Sequence, residues 1–235
     1  MSLINIDSDL KSLVVIIARG GSKGIQRKNI KPLMGKPLIE WSIDSAKQSS
    51  CIDRIIVSTD DEEIASVAYE LGADVPFIRP AELAVDATPG IAPVLHAIEQ
   101  LPEYDWVLLL QPTSPLRSAE DIDGIWQFCQ ERDAPSAVSV CEVGKHPYWM
   151  YKYDSAQRLE PFIKGRPDVT RRQDLPPAYA LNGAIYLAKT DWLLEQQNFI
   201  GPETLGYVMP PERSVDLDTP QDWRWVEFLI EQSND

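Results

Sequence analysis

Cations and glycines crowd together just after the first apolar run of the chain, as Ala18-Arg19-Gly20-Gly21-Ser22-Lys23-Gly24 and then Gln26-Arg27-Lys28-Asn29. Glycine carries no Cβ, so backbone N–H groups in such a stretch can turn inward and approach an anion closely. Arg19, Lys23 and Lys28 can neutralise a triphosphate through charge-assisted hydrogen bonds. The segment therefore predicts a phosphate cradle, although an isolated Gly/Lys-rich turn would also suit a basic surface loop. It matches neither the GxxxxGK[ST] loop nor the GxGxxG fingerprint. The bases at 27 and 31 read as surface charge.

An acidic pair lies near the other end. Asp216 and Asp218 alternate with Val215 and Leu217, so on an extended segment both carboxylates point to one face. Such a pair suits magnesium, a hard ion that takes carboxylate, phosphate and water oxygens. The competing expectation is helix capping, because Asp218-Thr219-Pro220 also precedes the last helical pattern. A third polar group, Gln111-Pro112-Thr113-Ser114-Pro115-Leu116-Arg117, follows a buried apolar run, where α/β sheets place ligand-binding loops. Thr113, Ser114 and Arg117 are equally suited to capping the next turn. His96 sits in an apolar helical pattern and reads as a core residue. His146 has no plausible nucleophile beside it, so no histidine is expected to act as general base.

These groups need a scaffold, and the alternation of short β-rich runs with helical patterns predicts an α/β fold with a mainly parallel sheet. Strands are expected at 13–18, 54–59, 74–78, 106–111, 136–140 and 183–188. Helices are expected after Pro37, after Asp60-Asp61-Glu62-Glu63, and over 90–101, 119–132 and 219–232. From about 142 to 177 the rhythm breaks into aromatics, bases and prolines, which predicts an inserted subdomain that packs against a partner. Length fits one catalytic domain over 1–235 carrying that insertion.

With 22 basic and 36 acidic residues the net charge is −14, which argues against a broad nucleic-acid or anionic-membrane surface. The longest apolar runs are too short to span a bilayer, and no leader pattern opens the chain, so a cytoplasmic protein is expected. Cys51, Cys129 and Cys141 are widely spaced and read as ordinary thiols.

The stretch IIARGGSKGIQRKNIKPLMGKPLIEWSI resembles the nucleotide-binding signature of the acylneuraminate cytidylyltransferases, the CMP-sialic acid synthetases, a family that includes CMP-legionaminate and CMP-pseudaminate synthetases. RIIVSTDDEEIA, RPAELAVD, LLQPTSPLR, LNGAIY and SVDLDTPQDW follow in the family's order, so the resemblance spans nearly the whole chain. It implies a three-layer α/β/α sandwich of the nucleotide-diphospho-sugar transferase type, with a sugar pocket at the sheet's C-terminal edge. It also implies transfer of CMP from CTP to a nonulosonic acid with magnesium as cofactor, and a homodimer exchanging its 142–177 arm. By the same resemblance Arg19, Gly20, Gly21, Ser22, Lys23, Asn29 and Arg79 hold the nucleotide. Asn29, Gln111, Arg172, Asn182 and Tyr186 hold the sugar, Arg172 from the neighbouring subunit, and Asp216 and Asp218 hold the metal. Arg19, Lys23, Lys28 and Asp218 take the catalytic parts. Asp86 is expected to order the loop after Arg79, whose alternative is a simple pairing with Glu82. Beyond Asp86 the chain reads Ala87-Thr88-Pro89-Gly90, where the family segment is richer in hydroxyls.

A glycosyltransferase consuming a nucleotide-sugar is the alternative from another class, but the cation loop suits a triphosphate and the acid pair lies near the C-terminus instead of mid-chain. Trp149 and Ala180 stand where the sialic-acid enzymes carry basic residues. That departure predicts a preference for legionaminate-type or pseudaminate-type 5,7-diamino acids, since an apolar wall leaves buried hydroxyls unpaired.

Overall fold

The computed structural model describes residues 10–22, 24–165 and 171–233. Among the described residues ten strands form, β1 (Ser12–Ile17), β2 (Pro32–Leu33), β3 (Lys36–Pro37), β4 (Arg54–Ser58), β5 (Trp106–Leu110), β6 (Ser136–Glu142), β7 (Tyr151–Tyr153), β8 (Leu159–Pro161), β9 (Tyr179–Lys189) and β10 (Leu205–Val208). Six helices accompany them, α1 (Leu38–Gln48), α2 (Glu62–Glu70), α3 (Ala92–Gln100), α4 (Ala119–Glu131), α5 (Thr190–Gln196) and α6 (Pro220–Ser233).

The central sheet runs in the order β10-β6-β9-β5-β1-β4. β1 pairs in parallel with both β4 and β5, and β10 with β6, while β9 runs antiparallel between β5 and β6. Central strands read as continuous apolar runs because both faces are covered. Alternate residues of β1 serve opposite layers. Val14 and Ile16 pack with Ile39, Ile64 and Ile122 of α1, α2 and α4, and Leu13 and Val15 pack with Val94 and Leu193 of α3 and α5. The result is the three-layer sandwich expected from the sequence. A third cluster seats α6, through Trp223, Val226 and Ile230, against Ile25, Leu33 and Leu217, and so ties the C-terminal segment to the loop after β1.

The expected strand at 74–78 does not form as a strand. The segment touches β4 and its end only by bridges from Asp74 to Ile56 and from Ile78 to Thr59, because Pro76 has no N–H to give a ladder. The inserted stretch begins as the end of β6 leaves the sheet and ends as β9 joins it. Between them stands the exposed hairpin β7-β8, with Tyr151 opposite Pro161. Where β9 passes β6 the register shifts between Val138 and Val140, and Gly183 takes φ 74°, a left-handed conformation that glycine tolerates without strain. No helix among the described residues is long and apolar enough to cross a membrane.

Candidate active site

The C-terminal ends of β1 and β5 open onto a pocket of about 540 Å³, a size that suits a small-molecule ligand. Arg19, Ser22, Lys28 and Asn29 from the glycine-rich loop, Arg79, Gln111, and Asp216 with Asp218 all line it. Segments from opposite ends of the chain thus converge. Gly24 allows this approach, since a Cβ there would lie 2.5 Å from the Asp218 carbonyl oxygen. Lys23 lies outside the described residues.

Arg19, Lys28 and Asn29 are held within the chain. Arg19 pairs with Asp86 at 2.7 Å, so Asp86 ties the loop after Arg79 to the glycine-rich loop. Asn29 is buried and donates Nδ2 to the Arg19 carbonyl at 3.0 Å. Lys28 Nζ donates to Asp218 Oδ1 at 3.0 Å and to the Leu217 carbonyl at 3.1 Å. Gly20 lines no part of the pocket, and its N–H is taken by Asp60 Oδ1 at 3.0 Å, so this amide tethers the loop and is not offered to a ligand. Gly21 also stands outside the pocket lining.

Arg79 is 4% exposed, pairs with Asp60 at 3.6 Å, and leaves Nε without a partner. Its partner is Asp60, not Glu82. Burial pushes its guanidinium pKa down, which the Asp60 carboxylate opposes. A buried arginine with an unmet N–H at a pocket wall suits a polar ligand. Arg117, whose Nε is likewise without a partner, lines no part of the pocket. At 2% exposed it donates to the Ala184 carbonyl at 2.9 Å and to Ser42 Oγ at 2.7 Å, and burial pushes it down to about 10. Arg117 therefore braces the sheet and caps nothing, because the cap of α4 is Ser118 in a reciprocal pair with Asp121.

Burial pushes the Asp216 carboxyl above the usual range; a Thr113 hydrogen bond and Lys28 pull it back, while Asp218 and Asp222 add to the rise. Asp218 is not the cap of α6. Thr219 and Asp222 fill that place, with Thr219 N donating to Asp222 Oδ2 at 2.7 Å and Asp222 N to Thr219 Oγ1 at 3.2 Å. Both carboxylates remain directed to the pocket. No group of three or more His, Cys, Asp and Glu stands together as a metal cage among the described residues. Two carboxylates nevertheless fit magnesium, which keeps water and completes its shell with substrate phosphates.

Three expected sugar residues stand away from this pocket. Asn182 is buried and has every polar atom engaged: Oδ1 accepts from Ser139 Oγ at 2.6 Å and from Ala184 N at 3.1 Å, and Nδ2 donates to Ser214 Oγ at 2.9 Å. It builds the irregularity between β6 and β9, so its amide is not free for a ligand. Tyr186 packs on Phe199 with ring centroids 5.5 Å apart, and its hydroxyl pKa is raised by burial and then by Asp216. Arg172 donates to Glu142 at 2.9 Å and lines a separate cavity with His146 and Tyr179. His146 accepts from Tyr148 N at 3.1 Å through Nδ1 and bonds the Pro176 carbonyl at 2.9 Å, so it is structural here. His96 packs edge-on to Phe77, 4.8 Å between centroids.

Residues 13–179 match the family described as cytidylyltransferase. The chain belongs to the cytidylyltransferase family. This cytidylyltransferase is 38% identical to the CMP-N,N'-diacetyllegionaminic acid synthase of Legionella pneumophila, over 94% of this chain and 97% of that one. It is 33% identical to the pseudaminic acid cytidylyltransferase of Campylobacter jejuni, over 96% and 99%. With the N-acylneuraminate cytidylyltransferase of Escherichia coli it shares 32% identity over 95% of this chain and 53% of that longer protein. Its fold superimposes on CMP:2-keto-3-deoxy-manno-octonic acid synthetase complexed with CTP at a TM-score of 0.70 and 19% identity, covering 95% and 99% of the two chains.

Proposed function

We propose that this cytidylyltransferase moves CMP from CTP to the anomeric hydroxyl of a nonulosonic acid and releases pyrophosphate. The observation that carries this is the single pocket in which Arg19, Ser22, Lys28 and Arg79 face Asp216 and Asp218. In the reaction the anomeric oxygen forms a bond to the α-phosphorus, the bond from that phosphorus to the bridging β-oxygen breaks, and the hydroxyl proton is released. Positioning and charge neutralisation are most of what such a step asks of a protein. Arg19 and Lys28 sit to hold the phosphates. Arg79 and Asn29 orient the nucleotide, and Gln111 faces the sugar side of the same pocket. Asp216 and Asp218 would hold magnesium, which supplies a Lewis acid for the phosphoryl oxygens. Asp216, kept above the usual range by burial, gains most from such a cation.

The sugar side is completed by a second copy of the chain. Arg172 and the exposed apolar residues of the arm support this, as does the absence of Arg172, Trp149 and Ala180 from the lining of their own chain's pocket. In a dimer whose arms exchange, Trp149 and Ala180 would wall the neighbour's sugar, and the preferred substrate is a legionaminate-type or pseudaminate-type 5,7-diamino acid. The 38% identity to the CMP-N,N'-diacetyllegionaminic acid synthase supports the legionaminate-type choice. The working compartment is the cytoplasm, where CTP is available.

The test is pyrophosphate release. Incubation with CTP, magnesium and a panel of 2-keto sugar acids, with no glycosyl acceptor present, should give pyrophosphate and a CMP-sugar in equal amounts. A requirement for an acceptor would instead identify a glycosyltransferase.

A further inference from the structure

The glycine-rich loop is anchored by two neighbouring carboxylates that lie outside the pocket lining. At its start, Gly20 N donates to Asp60 Oδ1 at 3.0 Å, and a Cβ at position 20 would lie 2.5 Å from Asp61 Oδ2. At its far end Arg27 reaches Asp61 with both terminal nitrogens, Nη2 to Oδ1 at 3.0 Å, and also contacts Glu63. The same Asp61 Oδ1 accepts from the N–H groups of Glu63 and Ile64 at 3.0 Å each and so caps α2. Asp61 is therefore fixed by its own helix before it grips the loop.

Arg27 is not idle surface charge. Its backbone sits at φ 52°, ψ 34°, a left-handed conformation that a residue with a Cβ adopts only under constraint. The Arg27 carbonyl then accepts from Ile30 N and Lys31 N at 3.1 Å and opens the short 3-10 turn Lys28–Ile30. That turn presents Lys28 and Asn29 to the pocket.

We infer that Asp61, acting through Arg27, is a positioning residue for nucleotide binding: it fixes the left-handed corner that aims Lys28 and Asn29 into the pocket. Asp60 couples the loop's other end to Arg79 of the pocket lining, so the two carboxylates share one task. This inference rests on the activity proposed above.

Arg27→Ala removes the grip and leaves the α2 cap in place. It should weaken CTP binding, measured by calorimetry without sugar, by about tenfold to a hundredfold, the scale of small misplacements of binding groups. KM for CTP should rise in step, with kcat and the sugar acid's KM within about twofold. Arg27→Lys, which keeps a charge for Asp61, should recover part of the loss. Asp61→Asn, which keeps an acceptor for the cap, should resemble Arg27→Ala and carries the test should that variant not fold. Unchanged CTP affinity in a folded Arg27→Ala, or equal losses for CTP and sugar, would overturn the inference alone. A chain that releases no pyrophosphate with any 2-keto sugar acid would overturn the activity and the inference with it.

Discussion

Around the pocket, charged side chains find partners inside their own chain: Arg19 on Asp86, Lys28 on Asp218, Arg79 on Asp60. In the arm between 142 and 177, Tyr153, Leu159 and Phe162 stand 73%, 61% and 66% exposed on the β7-β8 hairpin. The charges of one region are paired within the chain, while the other leaves apolar side chains in water. A contiguous apolar surface left in water marks a contact with another molecule. On the proposed reading this difference separates the two substrates, with the nucleotide held by one subunit and the sugar finished by a neighbouring copy.

The largest expected effect falls on the paired region. Asp218→Asn should cut turnover by about a thousandfold with the fold intact, since a charge lost at a metal site removes several kcal/mol of transition-state stabilisation. Undiminished magnesium-dependent turnover would take Asp218 out of the site. Next in size, Arg172→Ala should lower kcat/KM for the sugar acid by about tenfold to a hundredfold and leave CTP affinity unchanged, as for loss of one charge-assisted contact. Mixing this variant with Asp218→Asn should restore activity in hybrid dimers, because one of the two sites then has both residues. A mixture no more active than its parts would break the division between the regions.

A smaller effect tests the arm as a dimer surface. Phe162→Asp, at an exposed position outside the pocket, should shift the chain from dimer towards monomer in sedimentation, with a loss of sugar turnover in proportion. A monomer with full activity would contradict the composite site.

The smallest effect is on stability. Asp216 has a folded pKa raised above its ordinary 3.8, first by burial, so the folded chain binds that proton more tightly than the unfolded one. The contribution is favourable below pH 3.8 and lost as pH rises through the folded value, so at neutral pH the ionised carboxylate costs stability. Asp216→Asn should raise the metal-free Tm at pH 7 slightly, since solvent screens much of the effect at this exposed residue. Asp218→Asn should not, because that carboxylate is 67% exposed and already pairs with Lys28. A Tm lowered by Asp216→Asn would show that its charge is compensated in the metal-free chain.

The sequence made the sheet and the pocket legible where local pattern and function coincide. The apolar runs that became β1, β4, β5 and β6, and the cation loop with its acid pair, are contiguous motifs. β10 was missed because Leu205-Gly206-Tyr207-Val208 is short, half exposed and at the sheet edge, and α5 because its seven residues give too little periodicity. The grip of Asp61 on Arg27 spans 34 residues, so no local spacing announces it. Asn182, which the resemblance places at the sugar, is engaged within its own chain by Ser139 and Ser214, partners 43 and 32 residues away that no local spacing announces.

The most direct measurement is product formation from CTP, with equimolar N,N'-diacetyllegionaminate, pseudaminate and N-acetylneuraminate offered together. The account predicts a CMP-sugar and an equal amount of pyrophosphate, with kcat/KM for a 5,7-diamino acid about tenfold to a hundredfold above that for N-acetylneuraminate, the scale of one or two unpaired buried hydroxyls. No CMP-sugar from any of the three would contradict the proposed transfer itself, and a clear preference for N-acetylneuraminate would contradict the apolar wall.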